Sequence, residues 1–129
     1  MRSLVRLAMA AWFVCACAGV GSAGSFDAMC APYRVALEDM TRADQLLVAI
    51  QANDTAAIDS LGETVAQDGR RLQTLSPSGG ASDALSSVGA RLTTAALQAQ
   101  DGRSSEAIQA LEAARSAMAL AKSQLSSCA

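Results

Sequence analysis

"MCAPYRVALEDMTRADQLLVAIQANDTAAIDSL", residues 29 to 61, contains one complete amphipathic stretch, a break, and the start of a second stretch. Its apolar positions Met29, Tyr33, Leu37, Met40, Ala43, Leu47 and Ile50 recur at intervals of three and four, which places them on one stripe of an α-helix. Pro32 fits only in the first turn, where its missing N–H has no intrahelical partner, so this helix should begin near residues 28 to 31. "QANDT" then interrupts the stripe, and Asp54 or Asn53 is the expected N-cap of a second helix.

The same period continues along the chain. Ile58, Leu61, Val65, Leu72 and Leu75 form a second stripe, Leu85, Val88, Leu92, Ala95 and Ala99 a third, and Ala107, Leu111, Ala114, Met118, Ala121 and Leu125 a fourth, with Cys128 continuing it. Ala, Leu, Gln, Arg and Glu dominate, and runs of β-branched residues are absent. The linker-like run is "SPSGGAS", residues 76 to 82. Four helices are therefore expected, at about 29–52, 55–75, 83–100 and 104–126. Asp68 falls where the second stripe should be apolar. Charged side chains are rarely buried unless paired, so the stripe is expected to slide to Gly69, leaving Asp68 at its edge beside Arg71 or Arg91. A weak repeat relates "IQANDTAAIDSL" (50–61) to "LQAQDGRSSEAIQAL" (97–111), with three more residues in the second turn and a period of 47 to 50 residues. That length is a helical hairpin, and two hairpins would make the domain.

Cys30 lies in the first turn of the first helix and Cys128 just beyond the fourth. A disulfide needs Cα atoms about 5.5 to 6 Å apart, whereas a helix of some 20 residues is ~30 Å long. The chain must return to its starting end to form the bond, which an even number of antiparallel helices achieves. The cysteine pair and the stripe count thus lead separately to an all-α, up-down-up-down four-helix bundle.

The N-terminus reads as an export signal. Arg2 and Arg6 precede an uncharged run from Leu7 to Val20, and small residues follow in "GVGSAG", with cleavage expected after Ala23. Residues 1–23 would then be a signal peptide and 24–129 the single mature domain. Cys15 and Cys17 would leave with the signal. The alternatives are an uncleaved anchor or lipidation: "VCAC" loosely resembles a bacterial lipobox, with Cys17 as the lipidated cysteine and Val14 and Cys15 in place of the usual Leu and small residue. The expected location is the periplasm or the extracellular space, with a membrane-anchored lipoprotein as the alternative.

Composition excludes several functions. Ten basic and twelve acidic side chains become eight and twelve once Arg2 and Arg6 are removed, a net charge of −4 that argues against nucleic acid and anionic membrane surfaces, which reward clustered Lys and Arg. With no histidine in the chain, His-based triads, the usual zinc and copper ligand, attached haem and ferritin-like di-metal centres are all disfavoured, and no cofactor is expected. A Lys122 base with Ser116 or Ser123 as nucleophile rests on spacing alone, and Lys122 reads better as a solvent-facing lysine. Met40 and Met118 read as core and not as thioether ligands, and Glu38, Asp39 and Asp44 as a solvated acidic face and not a cation site. No catalytic or metal-ligating residue is assigned.

By elimination the expected function is that of an exported, non-enzymatic bundle that binds a protein or a cell-envelope component. Leu46, Leu97 and Leu120 lie off their main stripes and are the candidate partner contacts, unless they simply widen the core. The alternatives are a small-ligand carrier with a cavity in the bundle, or a lipid-anchored spacer or inhibitor. An enzyme would need carboxylates such as Asp68 turned inward with raised pKa values.

Overall fold

A computed structural model describes residues 30–75 and 81–128. Four helices account for nearly all of them, with no strand among the described residues: α1 (residues 30–51), α2 (Thr55–Leu75), α3 (Ala81–Gln100) and α4 (Ser104–Gln124), followed by a 3₁₀ turn at Ser126–Cys128. Consecutive helices pack on one another, α2 on α3 and α3 on α4. Cross-links between α1 and α2 and between α4 and α1 close the ring. This is the expected all-α four-helix bundle. The segment expected to be a signal peptide, Cys17 within it, and most of the 76–82 linker lie outside the described residues. No helix among those described is long and apolar enough to cross a membrane.

Cys30 and Cys128 are bonded, with their Cα atoms 5.2 Å apart, so the first turn of α1 is tied to the turn that follows α4. At the opposite end lie the two short connections, which share one geometry. After α1, Asn53 adopts a left-handed φ of 53°, while its N–H bonds to the Ile50 carbonyl and the Asp54 N–H to that of Ala49. After α3, Gly102 has φ 79°, with the same bonds from Gly102 to Ala99 and from Arg103 to Gln98. Each is a Schellman closure, which satisfies carbonyls that a helix end leaves open. An offset of 49 residues superimposes one turn on the other, and each contains three residues between its helices. The expected extra three residues in the second turn are therefore absent. The repeated residues before and after the turn stand at offsets of 47 and 50, whereas the left-handed residues, which set the register, stand 49 apart.

The two turns differ in how the next helix begins. Asp54 caps α2, its Oδ1 accepting from the Ala57 N–H at 3.1 Å, whereas Arg103 at the start of α4 makes no side-chain cap bond. Glu106 already stands three residues into α4, so Arg103→Ser would complete an S-x-x-E capping box. We expect that variant to gain about 0.5 to 1 kcal/mol, read as a higher urea midpoint at unchanged slope.

The inward face of α1 is rotated from the expected stripe. Its buried positions are Pro32, Tyr33, Ala36, Asp39, Ala43, Leu46, Ala49 and Ile50, while Leu37 is 44 % exposed. Leu46, read from sequence as a candidate surface contact, is fully buried. The cause is the small residues: Ala36 and Ala43 let neighbouring helices approach, so the seam follows them in preference to the larger Leu37. Leu75, expected in the core, is exposed at the end of α2. Two boundaries also move. Helix α3 begins at Ala81, not 83, with Ser82 buried, and α4 ends at Gln124, where the chain tightens into the 3₁₀ turn that carries Cys128 inward.

Candidate functional site

Two features stand out against this alanine-rich frame. The first is a groove between α1 and α4 of about 250 Å³. From α1 it takes Tyr33, Leu37, Met40 and Asp44, and from α4 Arg115, Met118, Ala119 and Lys122. The 3-4 spacing of both sets makes each a single helix flank, adjacent to the core seam. Tyr33 and Met118 are buried, Met40 is half-buried, and Leu37 rises at the rim, so the floor is apolar. Arg115 Nη2 donates to Asp44 Oδ1 at 2.6 Å and ties the two walls together. Both partners are exposed, so this pair adds little stability, at most about 1 kcal/mol. Lys122 stands exposed on the α4 wall.

The second feature is an ionic cluster across the α1–α2 seam. Asp39 is 0 % exposed, and its Oδ1 accepts from Arg42 Nη2 at 2.8 Å and from Arg71 Nη2 at 3.5 Å. Asp68 accepts from Arg42 Nε at 2.5 Å on Oδ2 and from Arg71 Nη2 at 3.3 Å on Oδ1. Burial, then repulsion from Asp68, pushes Asp39 up from its ordinary 3.8 to about 6, against the pull of Arg42 and Arg71. The hydrogen bond to Asp68 holds the Arg42 guanidinium above its ordinary pKa.

Both carboxylates depart from the sequence expectation. Asp68 does lie beside Arg71, but it is buried, and its second partner is Arg42, not Arg91. Asp39, read as part of a solvated acidic face, is the most enclosed charge in the cluster. Pairing reconciles burial with charge: each carboxylate reaches guanidiniums from both helices, which a one-dimensional stripe does not reveal. The signal that could have exposed it is the i, i+3 Asp–Arg spacing on each helix, Asp39 to Arg42 and Asp68 to Arg71.

The other sequence candidates scatter. Leu97 and Leu120 are 49 % and 53 % exposed, on α3 and α4, and neither lines the groove. Ser116 and Ser123 donate to the carbonyls of Glu112 and Leu120 on their own helix, at 3.2 and 2.7 Å, which leaves the proposed Ser–Lys pairing without geometric support. Met40 and Met118 do come together, in the groove floor, and its lining residues include no other sulfur ligand. Among the described residues no group of three His, Cys, Asp or Glu is placed to hold a metal ion. Sequence reasoning missed Leu37 as a surface residue, although its spacing to Tyr33, Met40 and Asp44 marks a flank that ends in a charge. Known protein families, curated proteins and solved structures yield no match to this chain.

Proposed function

We propose that this protein is an exported, non-catalytic binding module that receives an apolar segment of a partner protein in the groove between α1 and α4. The observation that carries the reading is the exposed Leu37 above a floor of Tyr33, Met40 and Met118. From Tyr33 to Asp44 the α1 wall rises ~17 Å, about three turns, which suits a short amphipathic helix anchored at i and i+4. Asp44, Arg115 and Lys122 at the margin supply both signs of charge to orient it. A disulfide that joins the two ends of the domain supports export, because such bonds persist in oxidising compartments. The absence of histidine, and the enclosure of Asp39 and Asp68 away from the groove lining, support a role without catalysis.

The test is site-specific photocrosslinking in cells, with a photoreactive residue at position 37 of the full chain and a control at exposed Gln67 on α2. A discrete adduct to another protein from position 37 alone is the expected result, and its loss is expected when Lys122→Glu is added. Equal labelling from both positions, or none from 37, would overturn the reading.

A further inference from the structure

Within the Asp39 cluster the four contacts are unevenly distributed. Both guanidinium bonds to Asp39 land on Oδ1, and Oδ2 is buried with no hydrogen-bond partner. An ionised carboxylate so placed has half of its charge facing nothing that can donate, at a site removed from water. Protonating Oδ2 breaks none of the existing bonds, because Oδ1 continues to accept from Arg42 and Arg71. It also removes the repulsion from Asp68, which keeps its own bonds to the same two arginines.

The second hairpin has no carboxylate at either of the equivalent positions. The 49-residue offset that superimposes the two turns carries Asp39 onto Val88 and Asp68 onto Ala117, both apolar, and Arg71 onto Leu120. At those three positions the second hairpin is aliphatic, while Arg91 stands at the place of Arg42. The charged groups acting on Asp39 are Asp68, Arg42 and Arg71. From α3 and α4 the buried side chains are apolar except for Ser82, so no buried titratable group on those helices faces it among the described residues.

We infer that the α1–α2 seam is a proton-responsive joint, in which uptake of one solvent proton on Asp39 Oδ2 firms the packing of α1 against α2 and its release loosens it. The sign follows from linkage. A carboxyl held at about 6 in the folded chain and near 3.8 when unfolded keeps more protons in the folded state between those values. Stability from this group is therefore fully present below about 3.8 and is lost progressively as pH rises to and through about 6.

The experiment is urea unfolding of the wild-type chain and Asp39→Asn at pH 5 and pH 7. The folding constant of the wild type relative to the variant should fall about tenfold over that interval. The double variant Asp39→Val, Asp68→Ala, which copies the second hairpin at those two positions, should lack the same wild-type slope. Amide exchange, corrected for its intrinsic pH dependence, should localise the loosening to residues flanking Asp39 and Asp68. A wild-type to Asp39→Asn ratio constant within about twofold would overturn the inference. Should Asp39→Asn fail to fold, carboxyl carbon titration of the wild type decides it: a midpoint near 6 for Asp39 supports the joint, and one near 4 refutes it.

Discussion

The double variant Cys30→Ser, Cys128→Ser is expected to lose about 4 to 5 kcal/mol of stability, the value for a crosslink closing a loop of this size by chain entropy. The two cysteines are 98 positions apart in sequence, so the bond constrains nearly the whole folded domain in its unfolded ensemble. Against a usual domain stability of about 5 to 15 kcal/mol that loss is severe. It is more severe here because twelve of the twenty-five buried apolar residues among those described are alanine, which remove little surface from water. Urea unfolding followed by helical circular dichroism should show the double variant largely unfolded at 37 °C, and the reduced wild type should behave like it. Agreement between those two samples separates the covalent bond from any effect of the serines. If the variant unfolds within about 1 kcal/mol of the oxidised wild type, the closure argument is wrong. Loss should start at the stapled end, where the first turn of α1 and the turn Ser126–Cys128 have lost their tie, while the two Schellman turns hold the other end.

The same bond shows which parts of the fold are legible in sequence. Helix number, order and closure could be read because they depend on one-dimensional signals: stripe period, a proline in a first turn, turn residues, and two cysteines that must meet. The rotation of α1 about its own axis could not. It is decided by which neighbour approaches most closely, and small residues such as Ala36 and Ala43 carry that information without adding to hydrophobicity. The buried Asp39–Arg42–Asp68–Arg71 cluster was hidden for a related reason, since its carboxylates are tolerable only when guanidiniums from another helix arrive. Leu46 and Leu37 exchanged roles once the seam ran through alanine. Of the candidate site, Tyr33, Met40, Asp44, Met118 and Lys122 were each noticed, but their assembly into one groove needed the packing of α4 on α1.

Gly69 and Gly62 lie seven residues apart on α2, both buried, and the same change to alanine should act on them with opposite sign. Alanine favours a helix over glycine by about 1 kcal/mol, so a glycine kept inside a helix implies that something occupies the space of its side chain. At Gly69 a Cβ would meet the Thr93 hydroxyl and, behind it, backbone that cannot swing away: it would lie 2.5 Å from the Gly89 carbonyl oxygen on α3, and a Cβ on Gly89 would lie 2.6 Å from the Gly69 carbonyl oxygen. The two helices touch main chain to main chain at this crossing, and neither can yield without moving the whole of α2 against α3. Gly69→Ala should therefore destabilise by about 1 to 3 kcal/mol despite its better propensity, and Gly69→Leu by more. At Gly62 the nearest atoms belong to the Gln100 side chain, at 3.0 Å. That flexible chain can swing toward solvent at the cost of one exposed bond, from Gln100 Nε2 to the Asp59 carbonyl at 3.3 Å. Gly62→Ala should then be neutral or stabilising by up to about 1 kcal/mol. Thermal unfolding of the two alanine variants should place their midpoints on opposite sides of the wild type, or Gly62→Ala level with it. A Gly69→Ala midpoint at or above that of Gly62→Ala would mean that α2 and α3 do not cross as closely as this geometry requires.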